Sequence, residues 1–166
     1  MINNLPVRKN LRLNNYDYSR NGCYFITICV TDRCEMLGRT DVGAASCRPR
    51  ILLSDYGNIV LKWIPNISVK YSDVTIDNYI IMPNHVYMII SIEHGRQNAA
   101  PTASESIGTI MGYFKYQTTK EINIPGFWQR SYHDHIIRNH DEYKKIFNYI
   151  NENPERWAED RYFNIQ

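Results

Sequence analysis

The tightest constraint on how this chain folds is the run over residues 74–92, Val-Thr-Ile-Asp-Asn-Tyr-Ile-Ile-Met-Pro-Asn-His-Val-Tyr-Met-Ile-Ile-Ser-Ile. β-Branched and aromatic residues dominate both halves, and Pro83-Asn84 separates them as a turn, so the pattern predicts paired strands over 74–82 and 85–92. Strand side chains alternate, which puts His85, Tyr87, Ile89 and Ser91 on one face and Val86, Met88, Ile90 and Ile92 on the other. The second set is a core face. The first presents an imidazole and a phenol side by side at the start of a strand.

Other elements follow from the same kind of pattern. Residues 23–32 are β-prone and bounded by Gly22, which predicts a central strand, and residues 36–50 read as a loop or short hairpin. Ser54 precedes an apolar stripe of Ile59, Val60, Trp63, Ile64 and Ile67, predicting a capped helix over 53–71 that Pro65 should kink or end. Ser104 or Ser106 caps a second helix carrying Ile107, Ile110, Met111, Phe114 and Thr118, with Lys115 and Lys120 off its stripe. Residues 127–139 read as a further strand, and 141–153 as a helix with acidic residues at its N-terminus and Tyr143, Ile146, Phe147 and Ile150 as its buried stripe. At 3.6 residues per turn, Tyr149 and Asn153 then leave the edge of that helix together. Asn153-Pro154 ends it, with Asn153 as cap of a further turn. The order strand, helix, strand pair, helix, strand, helix predicts an α+β, ferredoxin-like sandwich, an antiparallel sheet with helices packed mainly on one face.

The length of 166 residues suits one domain, with a basic arm over 1–22 and a polar connector over 94–105. A net charge of +2 allows a nucleic-acid partner without requiring one. Cys23, Cys29, Cys34 and Cys47 lack zinc-type spacing and read as reduced thiols. No apolar run approaches the roughly 20 residues that span a bilayer, so a cytoplasmic protein without a membrane partner is expected. His133 and His135 share a strand face and form a second metal-site candidate, a rival to the first face on spacing alone.

Met82-Pro83-Asn84-His85, followed by hydrophobic residues around position 87, resembles the His-hydrophobic-His (HUH) signature of the single-tyrosine transposases, in particular the subgroup of REP-associated tyrosine transposases. The stretches from Arg12 to Cys29, from Trp128 to Asn139, and the Phe147-Asn148-Tyr149-Ile150 run ending at Asn153-Pro154 resemble the same family. Tyr87 stands where that family has its second histidine.

The resemblance implies that Tyr149 is the nucleophile and that His85, Asn153 and the residue at position 87, here Tyr87, face a divalent metal, Mg2+ or Mn2+. A phenol with its pKa near 10 needs a nearby cation to react as phenolate at neutral pH. The implied reaction is attack on single-stranded or hairpin DNA, giving a 5′-phosphotyrosine link and a free 3′-hydroxyl that can rejoin strands. A neutral phenol is a poor ligand for hard cations, so the alternative is a hairpin-binding protein that has lost nicking. A metal hydrolase built on His133 and His135 is a third reading. Arg12, Lys115, Arg130, His135, Arg138 and Lys145 are candidate DNA contacts, and Trp128 and Tyr132 are candidate stacking platforms for unpaired bases. The resemblance is compatible with a monomer or a homodimer.

Overall fold

Strands with apolar residues at every second position need cover on one face at least, and here the sheet is covered on both. The computed structural model describes residues 16–41, 49–93 and 105–163. Arg12 and most of the basic arm, Cys47, and the connector up to residue 104 lie outside the described residues.

The chain runs through β1 (Gly22–Cys29), a hairpin of β2 (Gly38–Asp41) and β3 (Arg50–Leu53), α1 (Asp55–Lys70), β4 (Val74–Ile81), β5 (His85–Ile92), α2 (Ile107–Ile122), β6 (His133–Ile137) and α3 (His140–Glu152). The main sheet has the order β4-β5-β1-β6 with every neighbouring pair antiparallel. Without the β2–β3 hairpin and α3, this is the strand order of a ferredoxin-like sandwich, as the element order predicts. Tyr24, Ile26, Ile28, Val86, Met88 and Ile90 form one sheet face and pack with Val60, Ile64 and Ile67 of α1 and Ile107, Ile110, Met111 and Phe114 of α2. Tyr87 and Ile89, on the opposite face, pack with Ile150 of α3 and with Trp157 and Tyr162 beyond it.

Ser54 and Ser106 cap α1 and α2 as the sequence predicts, whereas the Asn139 cap of α3 is not among the expected ones. Asn153, expected to cap a further turn, is the C-terminal cap of α3, with Arg156 preceding the next turn. The Ser54 hydroxyl accepts from Gly57 N at 3.1 Å, Ser106 from Thr109 N at 3.2 Å, and Asn139 Oδ1 from Glu142 N at 2.9 Å. Pro65 departs from expectation, because α1 continues through it to Lys70. Pro65 lies on the exposed side of the helix, where water can serve the carbonyl that the missing N–H leaves free, while Ile64 and Ile67 bury the other side.

The predicted strand over 127–139 is also shorter than expected, with β6 limited to its second half. Phe127 and Trp128 instead turn into the α1–α2 core, and a single bridge joins Trp128 to Val30. The turn after α3 is a 3-10 turn, Trp157–Glu159, that carries the chain back over the sheet. Among the described residues, no helix is long and apolar enough to cross a membrane.

Candidate functional site

The face expected to present His85 and Tyr87 is instead closed. All eight residues of β5 are buried, because α3 and residues 157–163 cover the side that helices α1 and α2 leave open. The register puts His85 opposite Cys29, Tyr87 opposite Thr27, and His133 opposite Thr27 on the other side. Imidazole, phenol and hydroxyl therefore share one sheet face.

Asn84 fixes His85 from the turn. Its Nδ2 donates to the carbonyls of Arg33 (3.0 Å) and Tyr162 (2.8 Å), so its Oδ1 is the atom that meets His85 Nδ1 at 2.8 Å. Nδ1 must then carry the hydrogen, leaving Nε2 with a free lone pair. That Nε2 is buried and has no hydrogen-bond partner among the described residues, and Asn153 Oδ1 shares that condition. The rings of Tyr162 and Trp157 lie 4.9 and 5.8 Å from the His85 ring. Burial pushes the His85 pKa down to about 3, opposed by Asp160 and helped by Arg161 and Arg33, so the ring is neutral at physiological pH.

This burial makes stability sensitive to acid. An unfolded His85 binds its proton near pH 6.5 and the folded one near pH 3, so between these values the unfolded state holds more protons. Stability is complete above pH 6.5 and falls by about 1.4 kcal/mol per pH unit below it. His133, lowered by burial and Arg161, acts with the same sign. Urea unfolding of chelator-treated protein at pH 7 and pH 5 checks this, and a midpoint that stays fixed contradicts it.

Tyr149 and Asn153 separate on leaving α3. Tyr149 is 39% exposed, whereas Asn153 is buried at 3%. They meet again at a residue the sequence does not single out, Asp160. Its Oδ2 accepts from Tyr87 Oη at 3.0 Å, Tyr149 Oη at 3.2 Å and Asn153 Nδ2 at 3.1 Å, and the two phenol oxygens are 3.0 Å apart. The Tyr87 pKa is raised far above that of a free phenol, by burial first and then by the Tyr149 hydrogen bond and the Asp160 charge. Tyr87 is thus a neutral hydrogen-bond donor. Beside this cluster opens a cleft of about 530 Å³, lined by Lys145, Tyr149, Asn153, Arg156, Asp160 and Arg161 among others.

The other expected contacts divide. Arg130, Arg138 and Lys145 are exposed, Lys145 on the cleft itself. Trp128 and Tyr132 are corrected as stacking platforms. Trp128 is 5% exposed with its Nε1 donating to Thr118 Oγ1 at 2.8 Å, and Tyr132 is buried in the same core. Lys115 is corrected as a phosphate contact, since its half-buried amine donates to the carbonyls of Gln129 and Arg130 and burial lowers its pKa. His135 Nε2 lies 2.7 Å from Glu142 Oε1, an ion pair when the ring is protonated. Among the described residues no three His, Cys, Asp or Glu side chains gather as a metal site, which leaves the His133–His135 pair without the further ligands a hydrolase would need.

Arg156 and Arg161 are cleft cations that the sequence pattern does not mark. They follow Pro154, where helical periodicity no longer says which way a side chain faces.

No family model matches the chain. Over 173 aligned positions it is 33% identical to an uncharacterized protein of Haemophilus influenzae, across 94% of this chain and 93% of that one. Among solved structures, a REP-associated tyrosine transposase bound to a REP hairpin has a similar fold, with a TM-score of 0.62 and 18% identity, covering 89% of this chain and 74% of that one.

Proposed function

The chain belongs to one family with that Haemophilus influenzae protein, and from that premise and the transposase fold it shares we propose that it cuts and rejoins single-stranded hairpin DNA through Tyr149. The observation that carries the reading is the meeting of the Tyr149 hydroxyl and the Asn153 amide on the Asp160 carboxylate, beside two buried acceptors with no partner among the described residues, Asn153 Oδ1 on that same amide and Nε2 of His85, whose ring packs against Tyr87. An amide oxygen suits a hard divalent cation, Mg2+ or Mn2+, and a neutral imidazole nitrogen is a common metal ligand. These residues fit such an ion. When bound, it supplies positive charge against the scissile phosphate.

The chain's own groups do the rest. Asp160 orients the Tyr149 hydroxyl, and Lys145, Arg156 and Arg161 line the cleft where a phosphate backbone would lie. Tyr149 Oη attacks phosphorus, the bond from phosphorus to the 3′ oxygen breaks, and the 3′-hydroxyl is released while the 5′ side stays on the tyrosine. Attack by a 3′-hydroxyl on that link reverses the step and rejoins strands.

A second reading, hairpin binding without cleavage, is favoured by the complete burial of His85 and by a phenol at position 87. The test mixes purified protein with labelled single-stranded hairpins from the DNA flanking its gene, in Mn2+ or in EDTA. A covalent adduct in Mn2+ supports the transferase. Retained hairpin without an adduct supports the second reading, and no retention of any flanking hairpin sinks both.

A further inference from the structure

We infer that Asp160 supplies the cation ligand missing at position 87, completing a site of His85 Nε2, Asn153 Oδ1 and the Asp160 carboxylate. The inference deepens the proposed function and rests on it. Tyr87 occupies the strand position two beyond His85, on the same face, with its ring 4.3 Å from the imidazole. Its hydroxyl is committed as a donor to Asp160, in contact also with Tyr149, and a neutral phenol is a weak ligand for hard cations. A carboxylate is a preferred ligand for Mg2+ and Mn2+.

Asp160 reaches this point from far along the chain, 73 residues beyond Tyr87. Its Oδ2 is 3.1 Å from Asn153 Nδ2, so the carboxylate stands one amide group away from the unpartnered Asn153 Oδ1. With His85, Asn153 and Tyr87 all neutral, Asp160 is the negative charge of the cluster. Without it, a divalent cation would be held by neutral donors beside Arg161, whose positive charge acts on His85.

The carboxylate is also locked in orientation. Its Oδ1 accepts from Tyr162 N at 2.7 Å, the Tyr162 carbonyl is held by Asn84, and the Tyr162 ring lies against His85. The same turn residue therefore aims the imidazole from one side and steadies the acid from the other. Loss of an imidazole on β5 is offset from a different element of the chain.

The test is a Mn2+ titration of the full chain without DNA, read by electron paramagnetic resonance of the free ion, with far-UV circular dichroism reporting the fold. Wild type is expected to bind one Mn2+. Asp160→Asn, nearly identical in shape, is expected to weaken it by about tenfold or more. In the double variant Asp160→Asn/Tyr87→His, the second imidazole is expected to bring affinity back to within about threefold of wild type. Equal Mn2+ affinity in wild type and Asp160→Asn would overturn the inference, as would a folded double variant that recovers nothing. Those failures leave the Tyr149 reading standing if the Mn2+-dependent adduct forms. No Mn2+ binding by wild type, together with an adduct formed in EDTA, would overturn the cation site and keep the tyrosine.

Discussion

Replacing Tyr149 by phenylalanine lowers the yield of covalent protein–DNA adduct by about a thousandfold or more while changing hairpin affinity by less than about threefold. The substitution removes one oxygen. The ring stays, and with it the edge contact to Phe25 at 6.2 Å between centroids. What disappears are the hydroxyl's bonds to Tyr87 and Asp160, at an exposed position where neither partner is left without another donor or acceptor. Binding should therefore persist, because the lining cations Lys145, Arg156 and Arg161 are untouched. An electrophoretic assay with end-labelled hairpin separates the two quantities, and an adduct that survives in the variant would move the nucleophile elsewhere.

Asn84→Ala destabilises the fold by roughly 3 kcal/mol or more, the largest stability effect expected at the site. Asn84 is fully buried and serves three partners, the carbonyls of Arg33 and Tyr162 and the Nδ1 hydrogen of His85. Alanine removes the partner of two buried groups, the Tyr162 carbonyl and the His85 Nδ1 hydrogen, as well as the part-buried bond to the Arg33 carbonyl, and each orphaned buried group costs about 1–3 kcal/mol. Asn84→Asp fares no better, since it keeps an acceptor for His85 but turns both carbonyls toward an anion. The loss also releases residues 157–163, so cleavage after Arg161 by trypsin accelerates with the destabilisation. A shift of less than about 1 kcal/mol in urea would contradict the role assigned to Asn84.

The legible and illegible parts of this molecule divide along physical lines. The strand pair over 74–92 is readable because β-branched residues, an alternating face and a Pro-Asn turn agree locally, and the caps Ser54 and Ser106 are readable because a cap acts within three residues. Helical spacing brought Tyr149 and Asn153 to one edge of α3. Nothing of this kind marks Asp160, which lies past the proline that ends the periodicity and reaches its partners through tertiary packing of Trp157 and Tyr162. The aromatic residues near 128–132 misled for a related reason. A Trp or Tyr in a strand-like run is compatible with either face, and the bridge from Trp128 to Val30 sends it inward. Pro65 was tolerated because its side of α1 is wet.

The decisive measurement is the covalent linkage itself. Protein incubated with hairpin DNA and Mn2+ would be digested with nuclease and trypsin, and the residual nucleotide located by mass spectrometry. The cut sites at Lys145 and Arg156 isolate residues 146–156, a peptide in which Tyr149 is the one tyrosine. The nucleotide phosphate is expected on that peptide, at Tyr149. A nucleotide on Tyr87, on Tyr162 or on any other residue would contradict it.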